Sequence, residues 1–234
     1  MRTTEIQKEL GRLGDSATAV FLRRFFKTGP GEYGEGDLFR GIRVPVLRKL
    51  AGEFQGLTLS ETEELLHSPY HEDRLLALLI LVRLFAKGGE SERKKVYSTY
   101  LKNTRFVNNW DLVDSSAPYI VGAFLFDKDR KVLERLARSR KLWERRIAVM
   151  ATFHFIRRGE FDDTLKIARA LLSDREDLIH KAVGWMLREV GKKNVEVEEN
   201  FLREHCKRMP RVMLRYAVEK FPEPKRRRYL KGEI

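Results

Sequence analysis

Arg74-Leu75-Leu76-Ala77 returns along the chain as Arg146-Ile147-Ala148-Val149, Lys181-Ala182-Val183-Gly184 and Arg215-Tyr216-Ala217-Val218. Each copy opens on a cation and runs into apolar residues with the close spacing of a helix interior. The opening cations lie 72, 35 and 34 positions apart, and half of 72 is 36, so a further slot falls near position 110, where Trp110-Asp111 stands. A recurrence of this length marks stacked helical pairs, because one pair cannot bury its own apolar face and a neighbour must cover it. Equivalent residues of stacked pairs align along one surface. The recurring cations Arg74, Arg146, Lys181 and Arg215 are therefore expected to form a positive stripe, interrupted at its middle by Asp111 and Asp114.

Working outward, apolar residues recur at three- and four-residue intervals near 4–12, 15–27, 45–54, 59–67, 70–87, 91–101, 110–126, 129–139, 142–157, 161–172, 175–191, 196–207 and 210–221. Breaks fall at Gly14, the Gly29 to Gly36 loop, Gly56, Gly88-Gly89, Gly159 and Pro210. No pair of strands is evident, and the fold class is all-α. The chain has 234 residues, 42% of them hydrophobic, enough for a continuous core in one domain over 1–234. Lys and Arg exceed Asp and Glu by 47 to 34, a formal net charge of +13, which attracts polyanions and makes nucleic acid the leading partner class. An anionic membrane is the rival, yet no apolar run reaches the roughly 18 residues of a spanning helix, and Met1-Arg2-Thr3-Thr4-Glu5 opens no signal-peptide core. The single cysteine, Cys206, can form neither an internal disulfide nor a cysteine-based zinc cluster. A cytoplasmic protein is expected.

Asn108-Asn109-Trp110-Asp111-Leu112-Val113-Asp114 puts an indole and a carboxylate four residues apart, on one helical face. An unpaired charge is costly in a core, so the pair fits a cleft that receives a cation, although Asp114 could instead cap or salt-bridge while Trp110 packs inward. Trp110-Asp111-Leu112-Val113-Asp114, Trp143-Glu144-Arg145-Arg146-Ile147-Ala148 and Lys181-Ala182-Val183-Gly184-Trp185-Met186-Leu187-Arg188-Glu189 stand in order and at the spacing of the AlkD family of bacterial DNA alkylation-repair glycosylases, as does Gly41-Ile42-Arg43-Val44-Pro45. The chain resembles that family over most of its length. The resemblance implies a right-handed solenoid of HEAT-like repeats with a basic concave groove. It also implies hydrolysis of the N-glycosidic bond of cationic N3- or N7-alkylated purines in duplex DNA, without metal or organic cofactor. By position, Asp114 matches the catalytic carboxylate, Trp110 and Trp185 the aromatic walls at the lesion, and Arg146 a basic residue beside them. Arg43, Arg74, Arg145, Lys181, Arg188 and Arg215 are the candidate DNA contacts. A monomer with no obligate protein partner is expected.

Phe25 stands where many relatives carry tyrosine, Arg43 where glutamine is common, and Asn109 where a second tryptophan often precedes Trp110. These departures bear on substrate range more than on the reaction. Asp111 is rotated about 100° from Trp110 and takes a structural role ahead of a catalytic one. Trp185 has two readings, core packing or a site face shared with Lys181 and Arg188; Arg146 could pair with Glu144; the run Lys225-Arg226-Arg227-Arg228 could grip phosphate or stand solvated. Gly29-Pro30-Gly31-Glu32-Tyr33-Gly34 matches a nucleotide-loop pattern literally but lacks its strand and is read as a flexible connector. His67 and His71 have a ligand-like spacing that Pro69 spoils, so no metal site is expected. Two other classes compete with the glycosylase: a helical-repeat protein that binds distorted DNA without cleaving it, and a basic protein-interaction scaffold. Retention of Asp114 with both tryptophans favours the enzyme.

Overall fold

A computed structural model describes residues 3–54 and 56–234, and its regular structure there is helical, with one isolated bridge pairing Leu38 and Tyr70. The chain packs into two compact units, 1–120 and 121–234. The first holds α1 (Thr3–Leu13), α2 (Ser16–Phe25), α3 (Val44–Glu53), α4 (Leu59–Leu66), α5 (His71–Lys87), α6 (Glu90–Lys102) and α7 (Trp110–Asp114). The second holds α8 (Ala123–Leu125), α9 (Lys131–Ala137), α10 (Leu142–Ala151), α11 (Phe153–Ile156), α12 (Asp162–Ala170), α13 (Asp177–Lys193), α14 (Val195–His205), α15 (Arg211–Ala217) and α16 (Glu223–Lys231). No helix among the described residues is long and apolar enough to cross a membrane.

In the first unit α5 is the central element, packed by α3, α4, α6 and α7. Its apolar residues Leu75 to Leu81 are buried on every side, as a helix with neighbours all round requires. Helix ends are sealed locally. Thr58 and Glu61 close a reciprocal capping box at α4, and Asp15 accepts from the Thr18 amide at α2. The turn before α3 explains Gly41-Ile42-Arg43-Val44-Pro45. Gly41 has φ +87°, and a Cβ there would lie 2.0 Å from the Asp15 carbonyl oxygen; only glycine fits both demands. In the second unit α13 packs against α10, α14 and α15. Gly184 permits its contact with α15, since a Cβ there would sit 2.3 Å from the Met213 carbonyl oxygen.

Three expectations about elements change. The segment 110–126 is not one helix: α7 ends at Asp114, and Pro118, which lacks an amide hydrogen, opens a wider-wound stretch over Pro118–Gly122. The segment 142–157 divides at Thr152 into α10 and α11. The basic tail is helical, with Pro224 in the first turn, Gly232 at φ +74° as its stop, and Tyr229 buried. Arg226 and Arg227 pair there with Glu223, and Lys225 pairs with Glu199. The Gly29–Gly36 loop is a set of turns held by Glu32 and Glu35, which accept from the Gly29 and Gly31 amides.

The repeat register also moves by one residue. Arg74 donates to the carbonyl oxygens of Ser68 and Pro69, both at 3.0 Å. Arg145, not Arg146, does the same in the second unit, donating to Ser139 and Arg140 at 3.0 and 3.1 Å. His180 follows at the next copy, its Nε2 donating to the Asp174 carbonyl at 2.6 Å. The recurring cationic slot is thus a device by which the start of one helix ties down the loop before it.

Candidate functional site

Helix α7 is short, and its placement rests on side chains beyond its own turn. Asn109 is fully buried at the N-cap, where its side-chain oxygen accepts from the Trp110 amide at 2.8 Å. After the helix, the Ser116 hydroxyl donates to the Leu112 carbonyl at 2.5 Å and bonds the buried Tyr100 hydroxyl at 3.0 Å. Burial lifts the Tyr100 hydroxyl well above its ordinary pKa; the Ser116 bond opposes this and the Asp114 charge adds to it. Asp114, half-buried at the last position of α7, is therefore within electrostatic reach of Tyr100. Trp110, at the first position, packs on the cluster of Ala19, Phe26 and Phe39. Its indole stacks on Phe26 at 5.4 Å and meets the edge of exposed Phe25 at 6.0 Å.

Asp111 faces the other way and is anchored. Its Oδ2 lies 2.8 Å from His71 Nε2, while His71 Nδ1 lies 3.3 Å from Asp37 Oδ2. Asp37 in turn accepts from Arg74 at 2.7 Å and from Asn108 at 2.9 Å. The imidazole is buried between Phe26 and Phe39, with ring separations of 4.8 and 4.7 Å. Burial lowers its pKa, but the Asp111 charge and the hydrogen bonds to Asp111 and Asp37 more than offset that, and the value rises to about 9. His71 is an imidazolium at neutral pH. The same helix start carries three more buried charges. Glu72 accepts from the amides of Arg40, Gly41 and Ile42; Asp73 accepts two bonds from Arg40 and one from Ser68. Arg74 completes the set with Asp37.

Beside this knot lies a cavity of ≈ 620 Å³, bounded by α2, the turn before α3, the start of α5 and Asp111. Phe21, Phe26 and Phe39 wall it, Arg43 stands at its edge, and His71, Glu72 and Asp111 supply its polar end.

The remaining sequence candidates divide sharply by environment. Arg74 is 4% exposed and internally bonded, so it cannot face phosphates. Arg145 is tied to Asp174 at 2.6 Å, Arg146 is buried and donates to the Leu178 carbonyl at 2.6 Å, and Arg188 pairs with Glu219. As a row of solvent-facing cations the stripe is corrected: the buried slots serve the repeat, because a desolvated guanidinium must be fully bonded. Arg43 and Arg215 are exposed, and half-exposed Lys181 pairs with Asp177 at 2.5 Å. In the second unit the half-buried Trp185 donates its indole N–H to Glu189 at 3.0 Å and meets Phe153 at 6.2 Å. Trp110 and Asp114 belong to the first unit, Trp185 and Arg146 to the second.

Sequence reasoning missed His71, Asp37 and Phe26 as neighbours of the central helix. No spacing rule links His71 to Asp111, 40 residues away, or to Asp37, 34 away.

The sequence model of a family described as DNA alkylation repair enzyme matches residues 6–221. Among solved structures, a predicted DNA alkylation repair enzyme from Enterococcus faecalis shares the fold with a TM-score of 0.69, at 18% identity, over 90% of this chain and 97% of that one. AlkD2 from Streptococcus mutans is similar with a TM-score of 0.57, at 17% identity, over 87% of this chain and 96% of that one. The structure of smu.31 from Streptococcus mutans UA159 gives a TM-score of 0.55, at 17% identity, over 87% and 98%. A comparison with curated proteins finds no match.

Proposed function

The chain belongs to the family of DNA alkylation repair enzymes, and on that footing we propose that it is a monofunctional DNA glycosylase acting on cationic N3- and N7-alkylated purines in duplex DNA. The observation that carries this reading is α7 itself: Trp110 and Asp114 stand one turn apart on a helix whose other polar residues, Asn109 and Asp111, are spent on fixing it. Asp114 is the carboxylate left for chemistry. In the reaction the C1′–N bond breaks with its electron pair staying on the purine, which is thereby neutralised, and water adds to C1′ and gives up a proton. The leaving base already carries positive charge, so no general acid is needed and the barrier lies in the oxocarbenium-like sugar.

A carboxylate at ~4 Å from that cation contributes about 4 kcal/mol at an effective dielectric of 20, and an indole face adds roughly 0.5–2 kcal/mol. Asp114 takes the first role and Trp110 the second. Trp185 and Arg146 are assigned, by resemblance, the second aromatic wall and the cation beside it. Exposed Arg43 and Arg215, with Lys181, are the phosphate contacts we favour. We read 1–234 as one HEAT-like repeat domain working as a cytoplasmic monomer on duplex DNA.

The test is direct. Duplex carrying 7-methylguanine is incubated with the protein and released base is quantified. Base release that falls by roughly 10²-fold or more in Asp114→Asn, with DNA binding retained, is the expected result. A parental protein that binds the duplex and releases nothing would sink the reading in favour of a non-cleaving binder.

A further inference from the structure

The cavity beside α7 takes no part in the mechanism above, yet it has the dimensions and chemistry of a ligand site. Its ≈ 620 Å³ lies within the ~300–1,000 Å³ of small-molecule sites. Three aromatic rings wall it, and one of them, Phe21, is 63% exposed at its mouth. At its polar end every acceptor but one is engaged: Glu72 holds three backbone amides and Asp111 Oδ2 holds His71, while Asp111 Oδ1 is buried and meets no donor among the described residues. A buried acceptor left without a donor is costly, so a molecule that brings an N–H there is favoured over one that does not.

Charge narrows the class. The Asp111 carboxylate is balanced by the His71 imidazolium and the Glu72 carboxylate by its three amides, so an ion entering the apolar space finds no counter-charge. Aromatic walls favour a flat ring over an aliphatic chain. A neutral heteroaromatic with an N–H edge satisfies all of these, and the wall residue Phe26 also stacks on Trp110 at 5.4 Å. We infer that this cavity is a binding site for a neutral purine base. Resting on the glycosylase reading, its occupant is the alkylpurine set free next to Trp110 when the glycosidic bond breaks.

The probe is free 3-methyladenine, titrated into the whole protein while methyl and indole resonances are followed by NMR. Saturable shifts at Leu22, Ile42 and Leu47, all cavity residues, are expected. Ala17→Trp, which fills the space from an exposed position of α2, should abolish them. Phe21→Ala should weaken binding by about tenfold through loss of one stacking face. Both positions are exposed, so neither change threatens the fold. Shifts at the Trp110 or Trp185 indoles alone, shifts that never saturate, or binding indifferent to Ala17→Trp would overturn the site. Base release from 7-methylguanine duplex is measured in parallel. Release without cavity binding removes the base site and leaves the glycosylase; cavity binding without release removes the glycosylase and leaves the base site.

Discussion

Replacing His71 by glutamine keeps a hydrogen-bonding side chain of similar reach and removes the buried positive charge between Asp111 and Asp37. A pKa held at about 9 against an ordinary 6.5 corresponds to about 3 kcal/mol of folding stability. The sign follows from the direction. A group whose pKa is raised in the folded state contributes fully below its unfolded value and loses that contribution as pH rises through the folded one. Stability from His71 should therefore be complete below about pH 6.5 and gone above about pH 9. The groups facing the ring set that window: Asp111 and Asp37 hold the proton, and Arg74 opposes it. Urea unfolding of the parent and His71→Gln across this range should show the variant less stable by about 3 kcal/mol at acid and neutral pH, with the two curves converging near pH 10. The imidazole nitrogen shifts of His71 in the parent should report a midpoint near 9. A midpoint near the ordinary 6.5, or equal pH dependence in the two proteins, would refute the charged clamp. The consequence for the site is positional, because His71 is what ties Asp111, and with it the helix carrying Trp110 and Asp114, to the body of the first unit.

Helices were legible because apolar spacing is a local property, and it failed where two local signals disagreed. Ala117, Ile120 and Val121 continue the helical spacing past Asp114, and they outweighed Pro118, which in the folded chain forces a wider turn. The basic tail erred in the opposite sense. Its capping signals, Pro224 and Gly232, were present, but Lys225-Arg226-Arg227-Arg228 masks a helix whose one well-buried side chain is Tyr229. At the site, the separation of Trp110 and Asp114 on one short helix could be read from the chain, as could the turn of Asp111 away from them. The clamp that fixes them could not, since it joins residues from a loop, a helix start and α7 through contacts that no short-range pattern encodes. The cation register slipped by one because Arg145 and Arg146 are adjacent; only carbonyl partners distinguish the residue that matches Arg74.

Glu198 is buried, and burial followed by the Glu199 charge lifts its carboxyl to about 8. Its contribution is present below about pH 4.5 and lost as pH rises through 8, so Glu198→Gln should raise the melting temperature at pH 8.5 and leave it nearly unchanged at pH 4.5. Gly184→Ala should cost roughly 1–3 kcal/mol, read by urea unfolding, because the new methyl meets the Met213 carbonyl and the Tyr216 side chain. The two arginines at opposite ends of the proposed stripe should behave differently. Arg74 is buried against Asp37 and two carbonyls, and removing it strands a buried carboxylate at a cost of about 3–5 kcal/mol. Arg74→Ala should therefore lower stability, whereas Arg215→Ala, at an exposed position, should leave stability intact and reduce the log–log salt slope of duplex binding by about one. Equal salt slopes in the parent and Arg215→Ala would remove Arg215 from the DNA surface. A parental slope near zero would remove duplex DNA as the partner, because neutralising phosphates must release counterions whatever the sequence bound.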